Sequence, residues 1–511
     1  MIPVQAQTVQ EHHRVAVIGA GFGGIGASVR LAEQGIDHVI FEKMDDVGGT
    51  WWQNKYPGCR CDVPSNLYSF SFALNPDWSD TFSAQPEIHA YLRKVAEDFG
   101  VIPRIRFNTT VETVHWDDTA KRWVLETSAG SCTADALITA HGFLSEPAYP
   151  DIKGLDSFRG QVMHSAEWDP SYDVTGKRVA VIGTGASAVQ IVPVVHETAR
   201  NLVVFQRTAA WILPHRRRPV KDWEKKLYRR VPAVQRALRG VTYLASELVV
   251  LPALLKNQRT DLIKRMAMRH LEAQVPDQEL RAKLTPTFTP GCKRLTPTNE
   301  YLPAIASTKT ELVTDPIVAV GPDGITTADG TLHEADVIIL ATGFRVTDNS
   351  FPGVIRGRDG RTLREVWDSD SMGAYNGTTF AGFPNLFMLA GPNTGIGHTS
   401  LVYMIEAQLP YVLGALKAMD EQGIVSVEPR PAVQAAYNEM LQRKLAPSVW
   451  LTGGCSSWYL DEKGRNSTIW PDYTFRFAQR LRHFDIDSYY LEFARSQVAD
   501  VPPVPAQLAA V

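Results

Sequence analysis

The sequence predicts an α/β fold in which one strand–loop–helix domain is inserted into another, and three observations carry that prediction. A β-branched run near the N-terminus ends in a glycine loop and continues as a helix, the same unit recurs between Gly19 and Gly183, 164 residues on, and two later apolar runs end in small-residue turns. At ~100–200 residues per domain, a chain of 511 residues has room for about three such bodies, each large enough to close a core.

The first unit is Arg14–Gly19 (RVAVIG), then Gly19-Ala20-Gly21-Phe22-Gly23-Gly24, then the helix-like IGASVRLAEQG. Glycines at the GxGxxG positions permit a tight turn and let a backbone approach a pyrophosphate at the helix N-terminus. The next strand, HVIFE, ends in Glu42, 23 residues after Gly19, where an acid accepts hydrogen bonds from ribose hydroxyls. The second unit is Arg178–Gly183, then Thr184-Gly185-Ala186-Ser187-Ala188 and a helix through Gln190. Its second strand, NLVVFQRT, carries Gln206 at the place of Glu42, followed by Arg207 and Thr208. An acid there would repel a ribose phosphate, whereas Gln-Arg-Thr offers donors and a cation. The first site therefore reads as FAD or NAD and the second as NADP, both on Rossmann-like units.

The runs Asp135–Gly142 (DALITAHG) and Asp336–Gly343 (DVIILATG) read as buried strands at a sheet crossing. The expected division is residues 1–155 and 340–511 as two segments of an FAD-binding domain, with an NADP-binding domain at 156–339 that carries a helical insertion at about 213–290. The late strand FPNLFMLA runs into Gly391-Pro392-Asn393 and the helix-like SLVYMIEAQLPYVLGAL.

Composition excludes other classes. Hydrophobic residues at 44% and charged residues at 21% are those of an ordinary globular protein, not a disordered or fibrous one. Lys+Arg 52 against Asp+Glu 55 gives a net charge of -3, so nucleic acid is not an expected partner. The five cysteines (Cys59, Cys61, Cys132, Cys292, Cys455) are scattered without CxxC or zinc spacing, so neither disulfides nor a structural metal are expected. The start MIPVQAQTVQEHHR lacks the pattern of a secretory signal, and a cytoplasmic location is expected. Val241–Leu255 is apolar but has 15 residues, with Glu247 and Pro252 inside it, and reads as too short to span a bilayer. It follows a stretch, Arg216–Arg239, with ten Lys or Arg and two acids, Asp222 and Glu224. A basic helix leading into an apolar one can lie on a membrane surface, but the favoured reading is a solvated helical insertion shaping a substrate entrance.

Phe158–Asp169 reads FxGxxxHxxxWD, and Gly49-Thr50-Trp51 is followed by Tyr56-Pro57-Gly58 and Asp62. With both glycine loops and Ala341-Thr342-Gly343, these motifs resemble type I Baeyer–Villiger monooxygenases over nearly the whole chain outside 210–290. The resemblance implies an enzyme that uses NADPH to reduce FAD, captures dioxygen as a flavin peroxide and converts a small-molecule ketone to an ester or lactone. The alternative is a flavin-containing monooxygenase acting on sulfur or nitrogen, a group with an aromatic residue and Lys where this chain has Trp168-Asp169. A disulfide-reductase-like flavoprotein would need a CxxxxC, and the only nearby pair is Cys59-x-Cys61.

By the same resemblance Arg294, in Gly291-Cys292-Lys293-Arg294, is the catalytic cation, and Asp62 is the carboxylate that fixes it. FAD is implied at Gly19, Gly21, Phe22, Gly23, Gly24, Glu42, Thr50, Trp51, Asp62, Tyr68 and Val111. NADP is implied at Arg60, Asp62, Gly183, Thr184, Gly185, Ala186, Ser187, Ala188, Gln190, Arg207, Thr208, Lys293, Arg294 and Trp458. Trp450 competes with Trp458 as the residue covering the nicotinamide. His164 and Trp168 fall in an expected interdomain linker, and the resemblance implies that His164 is a hinge element, not an acid or base.

Overall fold

The structure, a computed structural model, describes residues 11–255 and 260–494. The first ten residues, most of the stretch read for a targeting signal, and the extreme ends of the two outer segments lie outside the described residues.

Two sheets organise the chain. In the first, Glu11–Ile18 pairs in parallel with His38–Phe41 on one side and Gly130–Thr139 on the other. Val15, Ala16 and Val17 in this strand are fully buried, which explains why it reads as a continuous apolar run and not as an alternating one. Leu386–Met388 also pairs in parallel with Gly130–Thr139, so strands from both ends of the chain share this sheet. An antiparallel meander, Val111–Asp117, Arg122–Thr127 and Gly130–Thr139, extends it. The glycine-loop helix Phe22–Glu33 and the long helix Leu401–Gln422 pack against each other.

The second sheet is all parallel, in the order Thr310–Val313, Asn201–Phe205, Arg178–Ile182, Val337–Leu340, Gln161–His164. Every strand in it lies between residues 161 and 340. This corrects the placing of His164 in a linker. Gln161–His164 is the edge strand of the sheet, with His164 opposite Leu340, because the apolar Val162 and Met163 continue the buried surface of Val337–Leu340.

The helical insertion comprises Asp222–Arg230, Pro232–Ala245, a π-helical turn at Ser246–Val250, Leu251–Leu255, Thr260–Gln274 and Gln278–Lys283. The apolar segment is longer than expected. Pro232 starts a helix at its first turn, where a missing N–H costs nothing, and the helix continues unbroken to Leu255, 24 residues, long and apolar enough to cross a membrane by length and composition.

One buried side chain holds the late strand to the helix beneath it. Gln408, fully buried, donates to the carbonyls of Gly377 and Met388 and to the Thr378 hydroxyl, and accepts from the Ala390 N–H. Gln408→Leu takes this partner from the Gly377 and Met388 carbonyls and the Ala390 N–H, at ~1–3 kcal/mol each, while the Thr378 hydroxyl keeps its bond to the Asn376 carbonyl. Urea unfolding followed by circular dichroism is expected to show a loss of about 3 kcal/mol or more.

A candidate active site between two glycine loops

In the first loop Gly19 takes φ 98°, and a Cβ at Gly24 would lie 1.8 Å from the Gly19 carbonyl oxygen, so only glycine lets the helix start this close to the strand. Glu42 braces the turn, accepting from the Ala20 N–H at 2.6 Å and the Met44 N–H at 3.0 Å. Burial raises its pKa, and those two N–H bonds pull the other way.

A cavity of about 500 Å3 opens on this loop. Of the residues expected at FAD, Gly19, Gly21, Phe22, Gly23, Glu42, Thr50, Trp51, Tyr68 and Val111 line it, and Gly24 and Asp62 do not. Trp51 donates through its indole N–H to the Tyr68 hydroxyl at 3.0 Å, fixing both rings in the wall. The sequence reading missed His141, which also lines the cavity. Burial pushes its pKa down to about 4, and its Nδ1 is buried with no partner. Its signal was available, since it sits in the small-residue turn that closes the strand Gly130–Thr139. A glycine cradle at a helix N-terminus and a carboxylate that line one cavity, with the His141 ring in its wall, fit a dinucleotide such as FAD.

The second loop repeats the geometry. Gly183 takes φ 122° with a virtual Cβ 2.4 Å from the Ala341 carbonyl oxygen, and the helix begins at Ala186, after Thr184 and Gly185, and includes Ser187 and the buried Ala188. Thr184 donates to the Thr208 carbonyl at 2.7 Å, tying the loop to the strand end. Gln206 departs from expectation. Its side chain turns inward and donates to the Lys283 carbonyl at 2.7 Å, leaving Arg207 and Thr208 as the open groups. Lys293 lies near enough to Arg207 for its charge to add to burial in lowering the lysine pKa. Neither cation has a carboxylate partner among the described residues.

The two units are locked together. Tyr56 donates to Gln190 Oε1 at 3.0 Å, the Arg60 N–H donates to the same oxygen at 3.2 Å, and Gln190 Nε2 returns a bond to the Arg60 carbonyl. The side chain of Gln190, expected at NADP, is therefore engaged by protein. Gly58 has φ 81°, and a Cβ there would meet the Gln190 carbonyl oxygen at 2.5 Å. The guanidinium of Arg60 donates to the Phe82 carbonyl at 2.5 Å.

Asp62 and Arg294 come together from 232 residues apart. Arg294 Nε and one Nη donate to the two carboxylate oxygens at 2.5 and 2.6 Å, a two-pronged bond. Burial opposes the charge on Asp62 but is outweighed by Arg294, and its pKa is lowered, while Asp62 raises that of Arg294. Both side chains remain partly open. They neighbour Tyr68 in the cavity wall, whose phenol pKa burial raises and their charges modulate.

Cys292 forms a disulfide with Cys455, contrary to the expectation that disulfides were absent. The partners are 163 residues apart with no spacing pattern between them, so only the fold brings them together. The bond fastens the Lys293-Arg294 segment to the loop that carries Trp458. Trp458 is 38% exposed beside Phe143, whereas Trp450 is buried against Gly397. His164 is buried, with its pKa lowered by that burial, and its Nδ1 accepts the Ala166 N–H at 3.1 Å. Among the described residues no cluster of His, Cys, Asp and Glu could hold a metal ion.

Residues 12–352 match the flavin-binding monooxygenase-like family. A protein of Pseudomonas aeruginosa named Baeyer–Villiger monooxygenase is 48% identical over 483 residues, covering 94% of this chain and 92% of that one. A Streptomyces coelicolor protein of the same name is 45% identical over 506 residues, covering 99% and 96%. The crystal structure of OTEMO in complex with FAD and NADP superposes with a TM-score of 0.86 at 27% identity, covering 94% of this chain and 100% of that one.

Glu42 supports only the first loop, so its removal separates the two sites. Glu42→Ala is expected to purify with much less FAD, read from the flavin absorbance per protein, while the FAD-loaded fraction binds NADP with unchanged affinity in calorimetry. Full flavin content with lost NADP binding would exchange the two assignments.

Proposed function

We propose that this chain, which belongs to the Baeyer–Villiger branch of the flavin-binding monooxygenase-like family, oxidises its ketone with Arg294 as the cation beside the reacting oxygen and Asp62 as the anchor of that cation. It is an FAD- and NADPH-dependent monooxygenase that converts a ketone to an ester or lactone. Bound FAD, once reduced by NADPH, supplies activated dioxygen at the cavity.

The observation that carries the reading is the two-pronged pair of Arg294 and Asp62 beside the wall of the cavity. Arg294 keeps its proton at any working pH, and Asp62 fixes the plane of the guanidinium through Nε and one Nη. The other Nη makes no hydrogen bond to the described residues, so its N–H groups are available to a developing oxyanion. Tyr68, Trp51 and Phe22 pack as apolar wall around the same space and keep water from it. The GxGxxG loop, Glu42 and His141 would hold FAD along the cavity. The loop Gly183–Ala188 would take the NADP pyrophosphate, with Arg207 and Lys293, two neighbouring cations without carboxylate partners, on its ribose phosphate. Trp458 has the exposure needed to cover the nicotinamide, and Trp450 does not. The relatives support ketone oxidation over the sulfur- and nitrogen-oxidising alternative.

Arg207→Ala is expected to raise the KM for NADPH by about 5- to 150-fold, the scale of a lost charge-assisted bond of ~1–3 kcal/mol, and to leave that for NADH nearly unchanged. Steady-state kinetics with both coenzymes check it, and equal losses would remove Arg207 from the phosphate.

Arg294→Ala is expected to bind FAD yet form no ester, with NADPH oxidation slowed or diverted to hydrogen peroxide. Asp62→Ala should show a weaker form of the defect, because the guanidinium is misplaced but still charged. The check is product analysis by mass spectrometry with a parallel peroxide assay, and a normal ester yield in Arg294→Ala would refute the assignment.

A further inference from the structure

The helix Pro232–Leu255 is built inside out. Its inward positions recur every fourth residue and are polar: Gln235 donates to Asn66 Oδ1 and the Asn75 carbonyl, Arg239 to the carbonyls of Asn66, Leu67 and Ser69, Tyr243 bonds to Thr474, and Glu247 accepts from the Thr474 N–H and hydroxyl. Its outward positions are apolar, with Val241 64%, Leu248 62% and Val249 70% exposed, and with Val234, Leu238 and Leu244 on the same side. A surface helix of a soluble protein has the reverse arrangement. The polar stripe fastens the helix to the body, and the apolar stripe is left without a partner among the described residues.

Bases flank that stripe. Lys226, Arg230 and Arg236 are exposed at its N-terminal end, and the next helix, Thr260–Gln274, turns Leu262 and Met266 outward together with Lys264, Arg265 and Arg269. None of these six bases forms an ion pair among the described residues, and the exposed acids on the three helices are Asp222, Asp261 and Glu272. Charge complementarity chooses the occupant. Two copies of this chain joined symmetrically through the stripe would bring their bases face to face, whereas an anionic lipid surface pairs the bases with headgroups and takes up the apolar side chains. Crossing the bilayer is excluded by the inward face, because a spanning helix would strip Arg239 from Glu406 and Glu247 from His398 and Thr474.

We infer that this helix lies in the plane of an anionic membrane surface, apolar stripe down, and docks the enzyme there reversibly. At the other end of the helix Leu254 packs where a Cβ at Gly291 or Gly397 would touch it, so the docked surface and the wall beside Arg294 share one helix. The inference stands on exposure and charge, independently of the reaction.

The test is co-sedimentation of the FAD-loaded full chain with vesicles of phosphatidylcholine alone and with about 30 mol % phosphatidylglycerol. Anionic vesicles are expected to bind at least about fivefold more protein than neutral ones, with binding falling steeply in 0.5 M NaCl. The double variant Val241→Glu, Leu248→Glu is expected to lose about tenfold or more in vesicle affinity while retaining its flavin absorbance. Should that variant lose its flavin, Val249→Gln, expected to weaken binding in the same direction, replaces it. Absence of binding to either vesicle, or binding indifferent to phosphatidylglycerol, overturns the inference. So does light scattering that finds a lipid-free dimer which the double variant dissociates, since the stripe would then belong to a second copy.

Discussion

The ion pair of Asp62 with Arg294 is the interaction on which the site depends, because it closes a loop of 232 residues between the two nucleotide units. Asp62 follows the Tyr56–Arg60 turn that Gln190 clasps, and Arg294 follows the cysteine that is tied to the Trp458 loop. A cation in a cleft of low dielectric is expensive to desolvate alone, and a carboxylate that also orients it relieves both problems at once. The carboxylate has its pKa lowered in the folded chain, Arg294 outweighing burial. Its contribution to stability is therefore complete above the ordinary aspartate value of 3.8 and is lost only as pH falls through the lower folded value. The pair stays charged through any range in which the enzyme works.

The two glycine loops carry a constraint of their own. Each begins a helix so near its strand that a side chain would collide with a carbonyl, at Gly24 in the first unit and at Gly183 in the second. The second unit carries Ala188 where the first has Gly24, and its loop is the more open, with Gly185 and Ala186 exposed. Arg207 follows the strand whose end Thr184 ties to that loop, and Lys293 stands near enough to repel it, a repulsion that a bound anion would relieve.

Much of this was legible in the sequence because the signals are local. Strand, glycine loop and helix occupy about thirty consecutive residues, so both units and Glu42 could be read from spacing, whereas Thr50, Trp51, Tyr68 and Val111 came from the family resemblance. What was not legible depends on who packs against whom. Gln206 looked like a phosphate donor, but its burial against Lys283 is decided by a segment 77 residues away. His164 looked like linker, yet it lengthens an edge strand whose partner lies beyond residue 336. The disulfide joins cysteines with no shared motif, and the apolar stretch at 241–255 was read for its length when the informative quantity was which side faced inward. Periodicity reports that a helix has two faces, and only the fold says which of them is buried.

That distinction bears on function. A chain selected only for stability would pair Lys293 with an acid, give His141 Nδ1 a partner and turn the apolar side of Pro232–Leu255 toward the core. Here each of the three is left unsatisfied: Lys293 stands near Arg207 without an acid, the His141 ring lines the first cavity with its Nδ1 buried, and the apolar stripe lies on the outer face of the insertion. The first two border the clefts of the nucleotide units, and the third ends at Leu254 beside the segment that carries Arg294. Local breaches of the rules that make a fold consistent cost stability wherever they occur, so a breach at the edge of a cleft or on an outer face is a place where a bound molecule returns stability to the fold.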